Sequence, residues 1–375
     1  MLMGANKNVS PGALLLSVLV AIFVGVLGSL AIRPPGATIE SRDGSVTAGI
    51  ERVRWRLTSS FTANLPIVGP PPQRIADNLA AMTSGAFRVT AYDPGEIVPA
   101  LEITESIKEG KVEAGFQWLG YDQGRIPAST LIAAVPFSME PMEFSAWWYF
   151  GGGRELGEAL YEPHNVMPVL CSVTSPETAG WFREPVESLD DLVGLKIRFA
   201  GLGGKVLQRV GASVTMIPGG EIFQALEKGA IDATEFSMPV VDRLLGFGRV
   251  AEFNYFPGWH QTFSSAHLQV NLDDWNNLSE PMQAMVRTTC RAEVAQSFSE
   301  AESLQGAVIR DFEEQGITTG TLSTEILEEL RAVTQQVLDE EASMDEQFAK
   351  ILESQREFSA TYRYWKTRGY LPRSF

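Results

Sequence analysis

Residues 195–205 have the sequence LKIRFAGLGGK, and this stretch indicates both a fold and a site. A β-rich run from Leu195 to Phe199 carries Arg198, and the glycines that follow mark the predicted start of a helix. A guanidinium beside the backbone N–H groups of a helix N-terminus favours a small anion, and arginine can grip a carboxylate through two parallel hydrogen bonds. The alternative is an ordinary glycine turn with a surface arginine.

A nucleotide-binding loop is excluded at this point by spacing. Such a loop would need glycine at position 199 and serine or threonine at position 206. The chain has Phe199 and Val206 there.

Strands and short helices alternate on both sides of this stretch, which predicts two α/β units. The predicted strands cover residues 52–59, 86–91, 112–117, 167–173, 195–199, 213–217, 230–236 and 267–271. The predicted helices cover residues 73–83, 102–109, 205–210 and 222–227. The last third is helical: a long helix begins at Ser279-Glu280-Pro281 and runs towards Gln315, and two more cover residues 324–342 and 344–365.

The N-terminal segment predicts export. Residues 13–32 are almost wholly apolar, Lys7 precedes them and Arg33 follows. This pattern is typical of a secretory signal or of one uncleaved membrane anchor. We therefore expect residues 1–33 to be a signal peptide or anchor, residues 34–49 to be a linker, and the protein to lie in the periplasm.

Charge and cysteine content narrow the class of protein further. The formal net charge of −16 argues against nucleic acid and against anionic lipid as partners. Cys171 and Cys290 are the only cysteines, too few and too far apart for a disulfide framework. Two buried free thiols are the favoured interpretation, and a single bridge in an oxidising compartment is the alternative.

Several stretches together resemble the substrate-binding subunits of tripartite ATP-independent periplasmic (TRAP) transporters. The strongest are Gly180-Trp181-Phe182-Arg183 and Leu189 to Arg198, and Pro257-Gly258-Trp259 resembles the branch that binds 2-oxo acids and similar monocarboxylates. The other matching stretches are 95–102, 107–115 and 219–235. Their order and spacing along one chain make the resemblance specific.

The resemblance implies an α/β fold with two lobes, a ligand cleft, hinge strands and a long helix that spans both lobes. It places lobe 1 at residues 50–172 and 262–280, lobe 2 at residues 173–261, and the long hinge-spanning and C-terminal helices at residues 281–375. Relatives in this branch can pair through their C-terminal helices, so a homodimer through these helices is one open arrangement.

The resemblance also implies site residues. Arg198 would clamp the ligand carboxylate, a task that suits the fixed guanidinium fork better than lysine. Further substrate-binding candidates are Thr174, Phe236, Trp118, Tyr121 and Phe61. Among the three histidines, which have no metal-ligand spacing, His260 is a cleft candidate because of its neighbours.

A metal ion, sodium or calcium bound with the substrate, is implied with Glu235, Gln261 and Phe236 as the positions that would hold it. The chain departs from the branch here, because Phe236 stands where tryptophan is typical and Gln261 where glutamate is usual. A single carboxylate, Glu235, is poorly charged for tight calcium binding. We therefore expect any metal to be weakly held, bound together with substrate, or absent.

The function that follows is a periplasmic receptor, not an enzyme, that delivers a small organic acid to TRAP membrane subunits. An exported enzyme acting on a small carboxylate is one alternative, but the sequence contains no nucleophile elbow, cofactor loop or metal-ligand spacing. A membrane-anchored assembly factor built on the C-terminal helices is the other.

Overall fold

The structure is a computed structural model that describes Val20 and residues 52–373. Apart from Val20, the predicted signal or anchor and the predicted linker lie outside the described residues. Within the described part of the chain, no helix combines the length and the apolar character that crossing a membrane requires.

The first lobe is built on a five-stranded sheet. Its strands are β1 (Val53–Ser59), β2 (Phe87–Tyr92), β3 (Ala114–Trp118), β4 (Val166–Val173) and, from later in the chain, β10 (Ser265–Asn271), in the order β2-β1-β3-β10-β4. β1 pairs in parallel with β2 and β3, whereas β10 runs antiparallel to both β3 and β4. The carboxyl ends of β1, β3 and β4 therefore lie at one edge of the sheet.

The second lobe is built on a six-stranded sheet. Its strands are β5 (Gly180–Phe182), β6 (Lys196–Arg198), β7 (Ser213–Thr215), β8 (Ala233–Thr234), β9 (Phe253–Phe256) and β11 (Thr318–Thr321), in the order β11-β9-β5-β8-β6-β7. β6 pairs in parallel with β7 and β8, so the segments that follow β6 and β8 emerge side by side. The two-lobed α/β fold expected from the sequence is confirmed.

Helices cover the sheets and connect the lobes. Those of the first lobe are α1 (Pro71–Met82), α2 (Ile103–Lys108), α3 (Ser129–Ala133), α4 (Pro141–Phe150), α5 (Gly153–Tyr161) and α9 (Leu272–Asn277). Those of the second lobe are α6 (Gly201–Val210), α7 (Gly219–Glu227) and α8 (Pro239–Leu245). The C-terminal helices are α10 (Glu280–Glu314), α11 (Thr324–Met344) and α12 (Glu346–Gly369).

The burial pattern of a strand shows whether one or both of its faces are covered. In β1, Val53, Trp55 and Leu57 are buried whereas Arg54 and Arg56 are exposed, which is the period of two expected for a strand with one covered face. In contrast, all five residues of β3 are buried because this strand lies at the centre of the sheet.

The long helix α10 packs against both lobes. It contacts β4 and α1 in the first lobe and α8 and β11 in the second. Arg74 of α1 forms an ion pair with Glu293, and Arg243 of α8 forms one with Asp311 at 2.8 Å. The helix predicted from Ser279-Glu280-Pro281 therefore braces the two lobes.

Two local predictions differ from the structure. The strand predicted over residues 230–236 is reduced to Ala233–Thr234, because the chain turns at Glu235 to line the space between the lobes. No strand was predicted between the helix that runs towards Gln315 and the helix that begins at residue 324, but the structure has β11 there, which joins the second sheet beside β9. Its sequence, Thr-Thr-Gly-Thr, is short and lies between two long helices, so hydrophobic periodicity gives no signal for it.

Two segments outside the regular strands and helices cross between the lobes side by side. Residues 174–179 connect β4 to β5, and residues 257–264 connect β9 to β10. Backbone hydrogen bonds join them: Thr174 N donates to Ser264 O at 2.9 Å, and Glu177 N donates to Gln261 O at 3.2 Å. We refer to residues 174–179 and 257–264 as the hinge segments.

Cys171 and Cys290 form a disulfide, so the preference for two free thiols was wrong. The bond joins β4 to α10, which pack closely together although the cysteines are 119 residues apart in sequence. Sequence spacing could not indicate this pairing because only the packing of α10 on β4 brings the two residues together. The disulfide ties the long helix to the first lobe.

Replacing either cysteine by serine should lower the free energy of unfolding by about 2–5 kcal/mol, since the bond closes a long loop. Urea denaturation of Cys171→Ser, Cys290→Ser and the double variant tests this. All three variants should lose a similar amount, because each loses the same bond. Two alkylatable thiols in denatured, unreduced wild-type protein would contradict the assignment.

Candidate ligand-binding site

A cavity lies where the carboxyl ends of the two sheets face each other. The space free of protein atoms there is about 430 Å³, counting the part that is open to solvent. All six predicted substrate-binding residues line it: Phe61, Trp118, Tyr121, Thr174, Arg198 and Phe236. The predicted metal positions Glu235 and Gln261 line it as well. Their roles in binding stay predictions, but the fold brings the whole set together.

Arg198 and Glu235 form a buried ion pair at the floor of the cavity. Arg198 ends β6 and Glu235 follows β8, so the parallel pairing of these strands sets the two side chains side by side. Nη1 of Arg198 donates to Oε1 of Glu235 at 2.7 Å and to its backbone oxygen at 2.6 Å. Both side chains are 1% exposed. The fixed guanidinium predicted from the sequence is therefore itself held by a carboxylate.

The start of α6 completes this arrangement. The backbone N–H of Ala200, which precedes the helix, donates to Oε1 of Glu235 at 2.7 Å. Arg198 Nε donates to the backbone oxygen of Ile217 at 3.3 Å. The hydrogen bonds of Arg198 to Glu235 and to the backbone use Nε and Nη1. The guanidinium also interacts with the Tyr121 hydroxyl, and the N–H groups of Nη2 can turn to a ligand.

Aromatic rings form the walls of the cavity. Trp118 ends β3, and Tyr121 follows on the next turn with the ring centroids 5.2 Å apart. Phe61 follows β1 and lies 6.5 Å from Tyr121. From the second lobe, the Phe236 ring centroid is 5.4 Å from the guanidinium carbon of Arg198. These rings exclude water and strengthen the electrostatic interactions of the charged groups.

Thr174 lines the cavity, but its hydroxyl bonds to the hinge backbone. The hydroxyl accepts a hydrogen bond from Ser264 N at 3.1 Å and donates to Ser175 O at 3.2 Å. The Thr174 hydroxyl, which was expected to bind the substrate, thus mainly holds the two hinge segments together.

The hinge segments supply one site residue that was not predicted, Glu177. Glu177 Oε1 accepts a hydrogen bond from Ser264 Oγ at 2.8 Å, and Gln261 Nε2 donates to the same hydroxyl at 3.3 Å. The other oxygen of Glu177, Oε2, has no hydrogen-bond partner among the described residues, nor does Oε2 of Glu235. Glu177 was not predicted from the sequence. The available signal was an acidic residue in the segment that directly follows a strand, Thr174-Ser175-Pro176-Glu177-Thr178.

His260 lies between these two carboxylates. Its Nε2 is 3.8 Å from Glu177 Oε2 and 3.6 Å from Glu235 Oε2. Glu177, Glu235 and His260 therefore place three ligand atoms within 4.8 Å of one another in a buried position. The expectation of a single carboxylate at the candidate metal position is wrong, because the hinge brings in a second one.

The two carboxylates have opposite pKa shifts. Burial and then the charge of Glu235 raise the pKa of Glu177 well above its usual range. Burial alone would also raise the pKa of Glu235, but Arg198, followed by His260 and the Ala200 N–H, outweighs burial and lowers it. Burial raises the pKa of the Tyr121 hydroxyl to about 12. Glu235 is thus ionised, whereas Glu177 retains a proton unless a cation replaces it.

A third buried carboxyl group supports the floor of the site. Asp242 of α8 accepts a hydrogen bond from the Trp181 indole at 2.9 Å, and burial raises its pKa to about 7. Trp181 belongs to β5, next to the strand that leads to Glu235. The protonation of Asp242 therefore bears on the stability of the second lobe.

The chain matches the model of one protein family and is similar in sequence to a periplasmic binding protein. The model of the DctP family, bacterial extracellular solute-binding protein family 7, matches residues 63–345. A monocarboxylate 2-oxoacid-binding periplasmic protein of Nostoc sp. is 33% identical over 327 residues, which is 87% of this chain and 89% of the relative.

Two solved structures have the same fold. A TRAP periplasmic solute-binding protein from Colwellia psychrerythraea, with bound calcium and pyruvate, has a TM-score of 0.81 and 28% identity, covering 84% of this chain and 97% of its own. A TRAP periplasmic solute-binding protein from Pseudoalteromonas atlantica, with bound sodium and pyruvate, has a TM-score of 0.81 and 28% identity. The match covers 84% of this chain and 96% of the other.

Stability should depend on pH through Asp242. Its pKa is about 7 in the folded protein and about 4 in the unfolded chain, so the folded state holds a proton that the unfolded chain releases. This contribution is complete below pH 4 and is lost as the pH rises from about 4 through 7, on the order of 4 kcal/mol in all. Asp242→Asn, which can still accept from Trp181, should remove that loss.

Urea denaturation of wild type and Asp242→Asn at pH 5 and pH 8 measures this difference. Asp190→Asn, at an exposed position of the same lobe, should follow the wild type. The same pH dependence in Asp242→Asn and wild type would exclude Asp242 as its source.

Proposed function

This chain belongs to the DctP family of bacterial extracellular solute-binding proteins, and we propose that its interlobe cavity binds a small monocarboxylate such as a 2-oxo acid or lactate. The protein is a periplasmic solute receptor that delivers a small organic acid to a TRAP-type membrane transporter. The proposal for this cavity is supported by the bound pyruvate of the two relatives and by the Nostoc protein's binding of 2-oxo acids.

The observation that carries the proposal is the state of Arg198. Its guanidinium is buried and held from one side by Glu235, while the N–H groups of Nη2 can turn to a ligand. A carboxylate can accept both of these hydrogen bonds at once, and in a dry site such bonds are strong. The aromatic walls then suit the short apolar body of the acid, and the limited volume favours a small ligand.

Charge balance supports a cation that binds together with the acid. With Glu235 ionised, Arg198 charged and Glu177 protonated, the site is neutral, and a monocarboxylate would bring it to −1 unless a cation replaces the proton of Glu177. A buried net charge of this size is costly unless it is paired. The two unpartnered carboxylate oxygens of Glu177 and Glu235 fit a hard cation, and calcium or sodium accompanies pyruvate in the two relatives.

The family is one of solute-binding proteins, so the exported-enzyme alternative receives no support from it. We propose that the ligand leaves unchanged. Pairing through the C-terminal helices stays a prediction, which the exposed Tyr364 and Trp365 of α12 are compatible with.

Arg198→Lys should weaken ligand binding by on the order of 2 kcal/mol or more, because lysine keeps the charge but loses the fork that binds Glu235 and the carboxylate together. Lysine is preferable to alanine, since alanine would leave Glu235 buried without its partner. Calorimetric titration with pyruvate and with lactate measures the loss.

The matched control is Arg209→Lys, which changes an exposed arginine of α6. It should bind as the wild type does. Wild-type affinity in Arg198→Lys would remove Arg198 from the site.

Gly201→Ala should weaken binding by about tenfold or more through closure of the cleft. A Cβ at Gly201 would lie 2.7 Å from Cη2 of Trp118 in the opposite lobe, so the closed form would have to open slightly. Gly201 also has φ +64°, which costs energy for alanine in the open and closed forms alike.

Gly194→Ala separates these two effects, because Gly194 has φ +77° but no atom within 4 Å of its added Cβ. Calorimetry and small-angle scattering with and without pyruvate should show weaker binding and incomplete compaction for Gly201→Ala alone. An equal loss of affinity in both variants would attribute the effect to backbone strain.

A further inference from the structure

The imidazole of His260 is the least explained polar group of the cavity wall. It is 1% exposed, and neither of its ring nitrogens has a hydrogen-bond partner among the described residues. A buried polar group without a partner costs free energy, so its presence calls for a ligand. Its Nε2 lies between two carboxylate oxygens that also lack partners, Oε2 of Glu177 and Oε2 of Glu235.

The position of the ring is built by packing from the second lobe. The ring meets Phe199 edge-on at 4.6 Å and Trp259 at 5.5 Å. Gly203 of α6 leaves room for it, since a Cβ there would lie 2.7 Å from the His260 Cβ. The imidazole is therefore held in place without any hydrogen bond of its own.

The three atoms lie within 4.8 Å of one another, close enough to share one cation. Two bonds of about 2.1 Å, typical of nitrogen and oxygen ligands, together span about 4.2 Å. The separations of 3.6 and 3.8 Å from His260 Nε2 to the two carboxylate oxygens lie within that span. Neutral imidazole is a good ligand for transition-metal dications, whereas calcium and sodium are bound through oxygen.

We propose that Glu177, Glu235 and His260 form a mixed oxygen and nitrogen site for a transition-metal dication of the manganese type, and that His260 sets a preference for this ion over calcium. The inference rests on the proposed function, in that the ion completes the same acid-binding cavity. Two carboxylates and one imidazole are three ligands from the protein itself, so the ion can bind in the absence of the organic acid as well as together with it.

The competing explanation is a protonated His260 that bridges the two carboxylates without a metal. An imidazolium would contribute one positive charge between Glu177 and Glu235 and would exclude a dication by repulsion. The two explanations differ in whether metal alone binds and in which atom of the protein touches it.

Full-length protein, freed of metal by chelation and of organic acid by dialysis, is titrated separately with MnCl₂ and CaCl₂. We expect Mn²⁺ to bind at least tenfold more tightly than Ca²⁺ in the absence of any acid. Pulsed electron paramagnetic resonance of Mn²⁺ bound to the wild-type protein should detect one directly coordinated nitrogen. Equal affinities, tighter calcium binding, no binding of Mn²⁺, or no coordinated nitrogen would each overturn the proposal.

His260→Gln replaces the nitrogen ligand by an amide oxygen. Binding of Mn²⁺ should weaken by about tenfold or more and the nitrogen signal should disappear, while Ca²⁺ binding should be retained or strengthened. His164→Gln removes a half-buried imidazole of the first lobe and serves as the matched control. An unchanged preference in His260→Gln would assign the selectivity to other groups and overturn the role of His260.

Titration with pyruvate, in buffers with Mn²⁺, with Ca²⁺ and with neither, keeps this test separate from the proposed function. Failure of every monocarboxylate to bind in all three buffers would overturn the proposed function. Tight pyruvate binding that is supported by Ca²⁺ but not by Mn²⁺ would overturn only the inference about His260.

Discussion

The buried ion pair between Arg198 and Glu235 is the interaction on which the rest of the site depends. Removing two charges from water is costly, and their attraction offsets that cost only where further hydrogen bonds hold both groups. Glu235 obtains its partners from Arg198 and from the N–H that precedes α6, and Arg198 is held in turn by two backbone oxygens. These contacts require β6 and β8 to be parallel neighbours and α6 to begin at Gly201, so the order of strands in the second lobe and the recognition of an anion have the same origin.

The first lobe and the hinge then determine what the ion pair can do. Trp118 and Tyr121 line the cavity together with the guanidinium, and the contact between Trp118 and Gly201 is possible because glycine has no side chain. The hinge segments add Glu177 and His260, which lie on chain that belongs to neither sheet. Ligands on a hinge link occupancy of the site to the relative position of the lobes, since an ion that touches Glu177 and Glu235 joins the hinge to the floor of the second lobe.

Much of this could be predicted from local sequence. The strand that ends in Arg198, the helix that begins after it and the alternation of elements depend on residues close together in the chain, and so do the start and length of α10. The approach of Glu177 to His260 could not be predicted, because it depends on the pairing of residues 174–179 with residues 257–264. The disulfide was missed for the same reason, since the packing of α10 on β4 is a long-range contact. β11 was missed because four residues of Thr-Thr-Gly-Thr have no hydrophobic period. The sequence shows the loss of one acidic group at Gln261. The structure shows that the charge of the site depends on all the groups that line the cavity.

The disulfide between Cys171 and Cys290 also has a consequence in time. The cytosol keeps thiols reduced, whereas the periplasm oxidises them. The newly made chain therefore carries two separate thiols, and α10 becomes covalently joined to the first lobe only after translocation. The bond thus records on which side of the membrane the protein reached its final form, and a molecule that stays inside the cell must hold its long helix by packing alone.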